Sequence, residues 1–127
     1  MKQLIPVFFL LLSFSCNKEI LSSHTPKGTL TGTWVKLDDK STGSIKTFIK
    51  KDTFDEHQFG YSFHEGNKLT VRVKIACGKP PVYGNVQGTY SRSNDDKLHL
   101  NYKVSGRPNE FNLKILKLTT DTLKLEY

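Results

Sequence analysis

The residues best suited to chemistry in this chain lie around two histidines. His57 and His64 are seven positions apart, with Asp55, Glu56 and Glu65 beside them. Imidazole nitrogens and carboxylate oxygens are zinc ligands, so three of these side chains meeting at one point would hold a metal. Side chains an odd number of positions apart on an unbroken strand point to opposite faces. We therefore expect solvated residues at strand ends and no metal site, unless a bulge realigns the two histidines.

The two cysteines could supply a nucleophile or a disulfide, but their surroundings differ. Cys16 ends an apolar N-terminal run, and Cys77 opens a Gly- and Pro-containing loop over 77–81 that cannot continue a central strand. We expect Cys77 to be a half-buried thiol that behaves as a small hydrophobe. The sequence contains no Gly-X-Ser-X-Gly elbow, phosphate loop, dinucleotide fingerprint or Cys-X-X-Cys pair. We therefore expect no enzyme, no catalytic residue and no cofactor.

The first fifteen residues have the layout of an export signal. Lys2 supplies a basic end, and an apolar run follows from Leu4 to Phe14. Eleven residues at about 1.5 Å each span roughly 16 Å as a helix, which is too short for a hydrocarbon core about 30 Å thick. The small residue Ser15 followed by Cys16 resembles the cleavage point of bacterial lipoprotein signals. That resemblance implies removal of the first fifteen residues and attachment of acyl chains such as palmitate to Cys16.

The segment that follows is polar and contains Ser, Thr, Pro and Gly. We interpret residues 16–31 as the lipidated cysteine and a tether that holds the rest of the chain away from a membrane. The lipoprotein resemblance implies an exported protein whose membrane partner is reached through the anchor at Cys16. We expect the anchor to lie in a bacterial outer membrane. The sequence does not decide between the periplasmic side and the cell surface.

Length, composition and charge limit the remaining possibilities. The chain has 127 residues, 11 % aromatic residues and a formal charge of +7, which excludes a disordered chain and a multidomain machine. Most lysines alternate with apolar residues, so we expect them to coat an outer wall that could attract anionic lipid headgroups or polysaccharide. We expect no nucleic-acid partner and a monomer. The lysines expected on the outer wall are Lys36, Lys46, Lys50, Lys74, Lys103, Lys114, Lys117 and Lys124.

A period of two dominates the chain after residue 32. Alternation of apolar and polar residues, as from Leu69 to Ile75 and from Leu98 to Val104, indicates strands with one buried and one wet face. The phase changes near Ile115, which predicts a bulge there. The predicted strands are 32–37, 45–51, 54–63, 68–76, 82–92, 97–104, 110–118 and 121–127.

Short loops between these strands favour pairing of sequence neighbours. Eight such strands with one apolar face predict a single all-β domain over 32–127, closed as an antiparallel up-and-down barrel. A sandwich with crossing connections would need longer loops, and the only candidates for a crossing are 76–82 and 104–110.

Several short motifs in this order resemble a known family. Gly32-Thr33-Trp34 opens the first strand as the Gly-X-Trp signature opens lipocalins, whose Trp closes one end of the barrel. The motifs over 88–90, 98–100, 116–119 and 121–125 are similar to those of small lipocalin-like lipoproteins of Bacteroidetes. The resemblance covers 32–127 and implies a lipocalin-like barrel. The sequence departs from typical lipocalins, because we expect neither their C-terminal helix with its accompanying Arg nor the disulfide that many of them carry.

The leading prediction is a lipid-anchored, lipocalin-like binding protein of the cell envelope that takes a small apolar or amphipathic ligand. The alternative is a solid barrel that acts as a protein-interaction module. A third possibility is an integral outer-membrane barrel, because the terminal pattern Leu123-X-Leu125-X-Tyr127 resembles the C-terminal signal of that class. The interior residues expected to contact a ligand are Trp34, Phe59, Tyr61, Phe63, Val71, Val73, Tyr90, Leu100 and Tyr102.

Overall fold

The computed structural model describes residues 29–38 and 43–127, and every regular element in these residues is a β-strand. The strands are β1 (Gly32–Lys36), β2 (Ile45–Lys51), β3 (Gly60–His64), β4 (Lys68–Ala76), β5 (Val82–Ser93), β6 (Lys97–Val104), β7 (Arg107–Leu118) and β8 (Thr122–Glu126).

The strands close into one antiparallel barrel, which confirms the predicted fold class. From β3 to β8 each strand pairs with its sequence neighbour, as in an up-and-down barrel. The alternation seen in the sequence matches the burial, because in β4 the residues Leu69, Val71 and Val73 are buried and those between them are not. The predicted phase change in β7 is also confirmed, since the register with β8 shifts between Ile115 and Lys117.

The ring order departs from a plain meander at the first two strands. Strand β1 lies between β2 and β3, and β2 closes the barrel against β8. Strands β2 and β3 are therefore parallel, and residues 52–59 must run back past β1 to join them. The prediction that only 76–82 or 104–110 could cross was wrong, because residues 52–59 make the crossing. Ser105 and Gly106 make a tight turn with positive φ angles instead.

The predicted third strand, 54–63, is correspondingly too long, since β3 begins at Gly60. Residues 54–56 lie against the outer face of the barrel instead, and the chain returns to the interior at Phe59. The Arg72 guanidinium holds them there by donating to the carbonyl oxygens of Asp55 and Glu56 at 2.9 and 2.8 Å. Val35 is only 2 % exposed although it points away from the interior, and it pairs with Gly60, beside which the Phe54 ring lies.

Gly60 permits this close packing because it has no side chain. A Cβ at this position would lie 2.7 Å from the Trp34 carbonyl oxygen and 3.0 Å from the ring of Phe54. We predict that Gly60→Ala lowers the free energy of unfolding by about 1–3 kcal/mol through overpacking. Urea unfolding followed by circular dichroism measures this loss, and Thr53→Ala on the same segment is the control. Equal stability of the two variants would contradict this account of the crossing.

The two ends of the barrel differ. At one end lie the short turns after β3, β5 and β7, together with the residues that precede β1. Here the Trp34 indole nitrogen donates to the Leu30 carbonyl oxygen at 2.8 Å, and both residues are buried in the core. We call this the closed end. We call the opposite end, where β1 and β8 finish and β2 starts, the open end.

Candidate functional site

A recess of about 300 Å³ lies at the open end. Among the described residues, the side chains that line it are Lys36, Lys46, Phe59 and Tyr127. Its aromatic floor continues into the barrel, because the ring of Phe59 lies 5.0 Å from Tyr61 and 6.4 Å from Phe48, centroid to centroid. The recess is therefore a shallow mouth above a packed aromatic interior.

Strand register places both lysines on the interior face of the sheet. Lys36 pairs with Phe48, and Lys46 pairs with Leu125; both partners are fully buried. Residues opposite each other across a sheet share a face, so Lys36 and Lys46 are diagonal neighbours on the inner side, about 7–8 Å apart. Among the described residues neither ammonium has an ion pair.

This placement corrects part of the charge prediction. Lys36, Lys46 and Lys50 were expected on the outer wall, but they share the inward phase of Trp34 and Phe48. The signal was present in the sequence, because Lys36 is two positions from Trp34 and the other two flank Phe48 at the same spacing. The prediction holds for the other five lysines, which occupy outward positions: Lys74, Lys103, Lys114, Lys117 and Lys124.

A group of phenols lies beneath the recess. The hydroxyls of Tyr61 and Tyr127 are 2.7 Å apart, and Tyr61 is fully buried. Burial raises the pKa of Tyr61 well above its ordinary value, and the Tyr127 hydroxyl beside it raises it further. Burial also raises the pKa of Tyr127 and of Tyr102. These phenols therefore stay protonated and can donate hydrogen bonds throughout the physiological range.

The raised pKa of Tyr61 makes stability depend on alkaline pH. Above pH about 10 the unfolded chain loses phenolic protons that the folded chain retains, so the free energy of unfolding falls by up to about 1.4 kcal/mol per pH unit for this residue. We predict that Tyr61→Phe is less stable than the parent near neutral pH but loses stability less steeply above pH about 10. Denaturant midpoints across this range, with phenolate absorbance, measure both. If the stability of the parent and of Tyr61→Phe fell with the same slope above pH about 10, Tyr61 would not be a buried phenol that stays protonated in the folded chain.

The structure brings the nine residues expected to contact a ligand together in one interior, but packed against one another. Phe59 is the member of this set that lines the recess, and Tyr90 is partly buried beside the core. The other seven are buried: Trp34, Tyr61, Phe63, Val71, Val73, Leu100 and Tyr102. Tyr127 and the two lysines also line the recess and were not among the predicted ligand contacts.

A second recess, of about 510 Å³, lies along β6, β7 and β8 on the outer wall. Lys97, Lys114 and Glu126 form a row across these strands, next to His99 and Asn112. His99 contacts Glu110 at 3.0 Å and Asn112 at 2.8 Å. This recess offers polar groups of both charges on an exterior surface and lacks the aromatic floor of the open end.

His57, His64 and Cys77 lie in different surroundings. His57 lies beside the ring of Tyr83, and the His64 imidazole is 3.0 Å from the Thr70 hydroxyl. Within residues 29–38 and 43–127 no three His, Cys, Asp or Glu side chains are placed to hold a metal ion. Cys77 is exposed, so the expectation of a half-buried thiol was wrong. The loop that contains it projects past the end of β4.

Comparisons with protein-family models, with curated proteins and with solved structures found no match to this chain. In the described part of the chain, no helix is long and apolar enough to cross a bilayer. The predicted signal peptide over 1–15, lipidation at Cys16 and most of the tether over 16–31 lie outside the described residues. They remain predictions from the sequence.

Proposed function

We propose that this chain is a lipid-anchored, lipocalin-like binding protein of a bacterial cell envelope, and that it binds one small amphipathic anion at its open end. The observation that carries this proposal is the recess, which two lysines at inward-facing strand positions line together with the aromatic residues Phe59 and Tyr127. Ligand sites commonly combine an apolar lining with a few polar groups that fix orientation.

The chemistry of the recess defines the ligand class. Lys36 and Lys46 would bind a carboxylate, sulfate or phosphate head through charge-assisted hydrogen bonds. Phe59 and the ring of Tyr127 would cover a short apolar body. The fully buried residues below leave no room in the described structure for a long chain to lie inside the barrel. The proposed ligand is therefore held at the mouth, with part of it outside.

Native mass spectrometry after gentle purification tests whether a ligand accompanies the protein. We expect a bound species of low mass that is lost when both Lys36 and Lys46 are replaced by Glu. A protein that carries no small molecule and takes up no fluorescent fatty-acid probe would overturn the binding proposal. It would leave the envelope location untouched.

The proposed anchor has its own test. We propose that Cys16, after removal of residues 1–15, attaches the barrel to a membrane through acyl chains, two or more of which give stable anchoring. The outward positions of the strands are largely polar, including Thr70, Asn85 and Asn112, which argues against a lipid-facing apolar band. Globomycin-sensitive processing and metabolic labelling with palmitate should both depend on Cys16. Unchanged labelling of Cys16→Ser would overturn the lipoprotein proposal.

A second candidate function follows from the packed interior and the outer recess. The barrel could act as a protein-interaction module through its wall, in which Lys114 lines the recess of about 510 Å³. Charge reversal at Lys114 and Lys117 should then abolish partner pull-down while the fold stays intact. Unchanged pull-down by this variant would exclude the wall as the interaction surface.

A further inference from the structure

The open end carries an unusual set of apolar side chains. Among the described residues, five large hydrophobic residues are 40–51 % exposed, and all five lie at the strand ends or loop bases of the open end. The short turns of the closed end contribute none. We call these five residues the rim, and they are Leu37, Ile45, Ile75, Val82 and Tyr127.

Cationic side chains surround the rim. The described strand ends and loops at the open end, 36–38, 43–46, 74–83, 103–108 and 126–127, carry six Lys or Arg residues and two acidic side chains, Asp38 and Glu126. Glu56 and Glu110 lie farther back on the outer wall, where Glu110 contacts His99. The six cations are Lys36, Lys46, Lys74, Lys79, Lys103 and Arg107.

The closed end is more nearly balanced in charge. Its turns and strand ends contain five of the ten acidic residues of the described chain, together with cations such as Lys51, Lys68 and Lys97. The barrel is therefore polarised along its axis, with a cationic and apolar open end. The acidic residues at the closed end are Asp52, Glu65, Asp95, Asp96 and Asp121.

A cationic ring around exposed aliphatic side chains matches the surface of an anionic bilayer. Lys and Arg near such a surface each gain about 1 kcal/mol from its negative potential. Exposed aliphatic side chains gain by entering the headgroup boundary, and a tyrosine ring is suited to that depth. A nucleic acid would use the cations but would leave Ile75 and Val82 in water.

The position of the tether allows this contact. The chain enters the barrel at the closed end, through Leu30 and Trp34. Thirteen residues, 17–29, separate Cys16 from Leu30. Thirteen residues reach at most about 45 Å when extended. The longest strands have 12 residues, or about 40 Å along their own tilted direction. An anchored barrel can therefore turn its open end toward the membrane.

We propose that the rim docks on the surface of an anionic lipid bilayer, so that the recess opens toward the headgroups. Docking uses Ile75 and Val82 at headgroup depth and Lys74 and Lys79 against the anionic charge. It does not require the recess to hold a ligand, because none of these four side chains lines it.

The exposed thiol of Cys77 provides a probe at the rim. The full-length protein, purified from membranes and reconstituted into vesicles, is labelled at Cys77 with an environment-sensitive fluorophore. Labelling stoichiometry shows whether Cys16 also reacts, and Cys16→Ser then restores a single site. The matched control carries Cys77→Ser and Asp95→Cys, which moves the same fluorophore to a turn at the closed end. Both proteins are measured in phosphatidylcholine vesicles with and without phosphatidylglycerol.

We expect the Cys77 probe to report a less polar environment when phosphatidylglycerol is present, and the Asp95→Cys probe to report no change. Lys74→Glu with Lys79→Glu should reduce the docked fraction at least about tenfold. Ile75→Ser with Val82→Ser should also reduce it, while Lys68→Glu with Lys117→Glu at the closed end should not. Thermal unfolding confirms that each variant is folded.

Three results would overturn the docking proposal. They are a Cys77 signal that is the same in both kinds of vesicle, an equal response from the closed-end probe, and rim variants that behave as the parent does. Failure of the ligand proposal is recognised separately, because it shows as absent probe binding at Lys36 and Lys46 with rim docking unchanged.

Discussion

Replacing Trp34 by alanine should lower the free energy of unfolding by about 3–5 kcal/mol, as expected for removal of a large, fully buried aromatic side chain. The indole is completely buried and closes the end of the barrel opposite the recess. The change removes its contacts with the core and its hydrogen bond to the Leu30 carbonyl oxygen. It also removes the face over which the Lys50 ammonium lies, 5.5 Å from the ring centre.

Urea unfolding followed by circular dichroism measures this effect, since Trp34 is the single tryptophan and its fluorescence is lost with it. Trp34→Phe is the matched variant. It keeps most of the buried volume and loses the hydrogen bond, so it should cost about 1–2 kcal/mol. A loss below about 1 kcal/mol in Trp34→Ala would contradict the closed-end packing.

The second large effect concerns the recess. Lys36→Glu with Lys46→Glu should weaken binding of a fluorescent fatty-acid probe by about 100-fold or more. A hydrogen bond to a charged group contributes about 1.5–3 kcal/mol, and the variant replaces two such partners by repulsion. Fluorescence titration of the probe at low and high salt measures the change, and the parent should bind more weakly at high salt.

Lys114→Glu with Lys117→Glu is the control for this effect, because it makes the same change in net charge on the outer wall. We expect its affinity for the probe to stay within about threefold of the parent. Lys36→Met with Lys46→Met separates charge from contact, and it should lose the salt dependence while it retains the aromatic floor. Equal losses in the recess and wall variants would show that general attraction by the basic protein accounts for binding.

Alternation along single strands made much of the fold predictable. The pattern from Leu69 to Val73, and the phase change near Ile115, translated directly into buried positions and a bulge. The order of the strands around the barrel could not be predicted from this alternation, because the position of β1 between β2 and β3 depends on long-range packing. Phe54 is an example of what alternation cannot predict. It continued an apolar pattern and was assigned to the third strand, yet β3 begins at Gly60 and the Phe54 ring packs against the outside of that glycine.

The candidate site was only partly predictable for a related reason. Phe59 was identified as interior, and it lines the recess. Lys36 and Lys46 were placed outside because charge outweighed the two-residue phase that they share with Trp34 and Phe48. Inward-facing lysines are tolerated where a strand reaches the mouth of a barrel, and local sequence does not show where the mouth lies. Burial of the remaining aromatic residues could be predicted, but their close packing could not.

Binding at the mouth of the barrel is tested most directly by a map of backbone amide shifts by NMR while dodecanoate is added to the protein. We expect saturable shifts at the open end, around Lys36, Lys46, Phe59 and Tyr127, with Leu30 and Trp34 unchanged. Shifts centred on the outer recess around Lys114, shifts at the closed end, or no saturable shifts would contradict binding of an amphipathic anion at the mouth of the barrel.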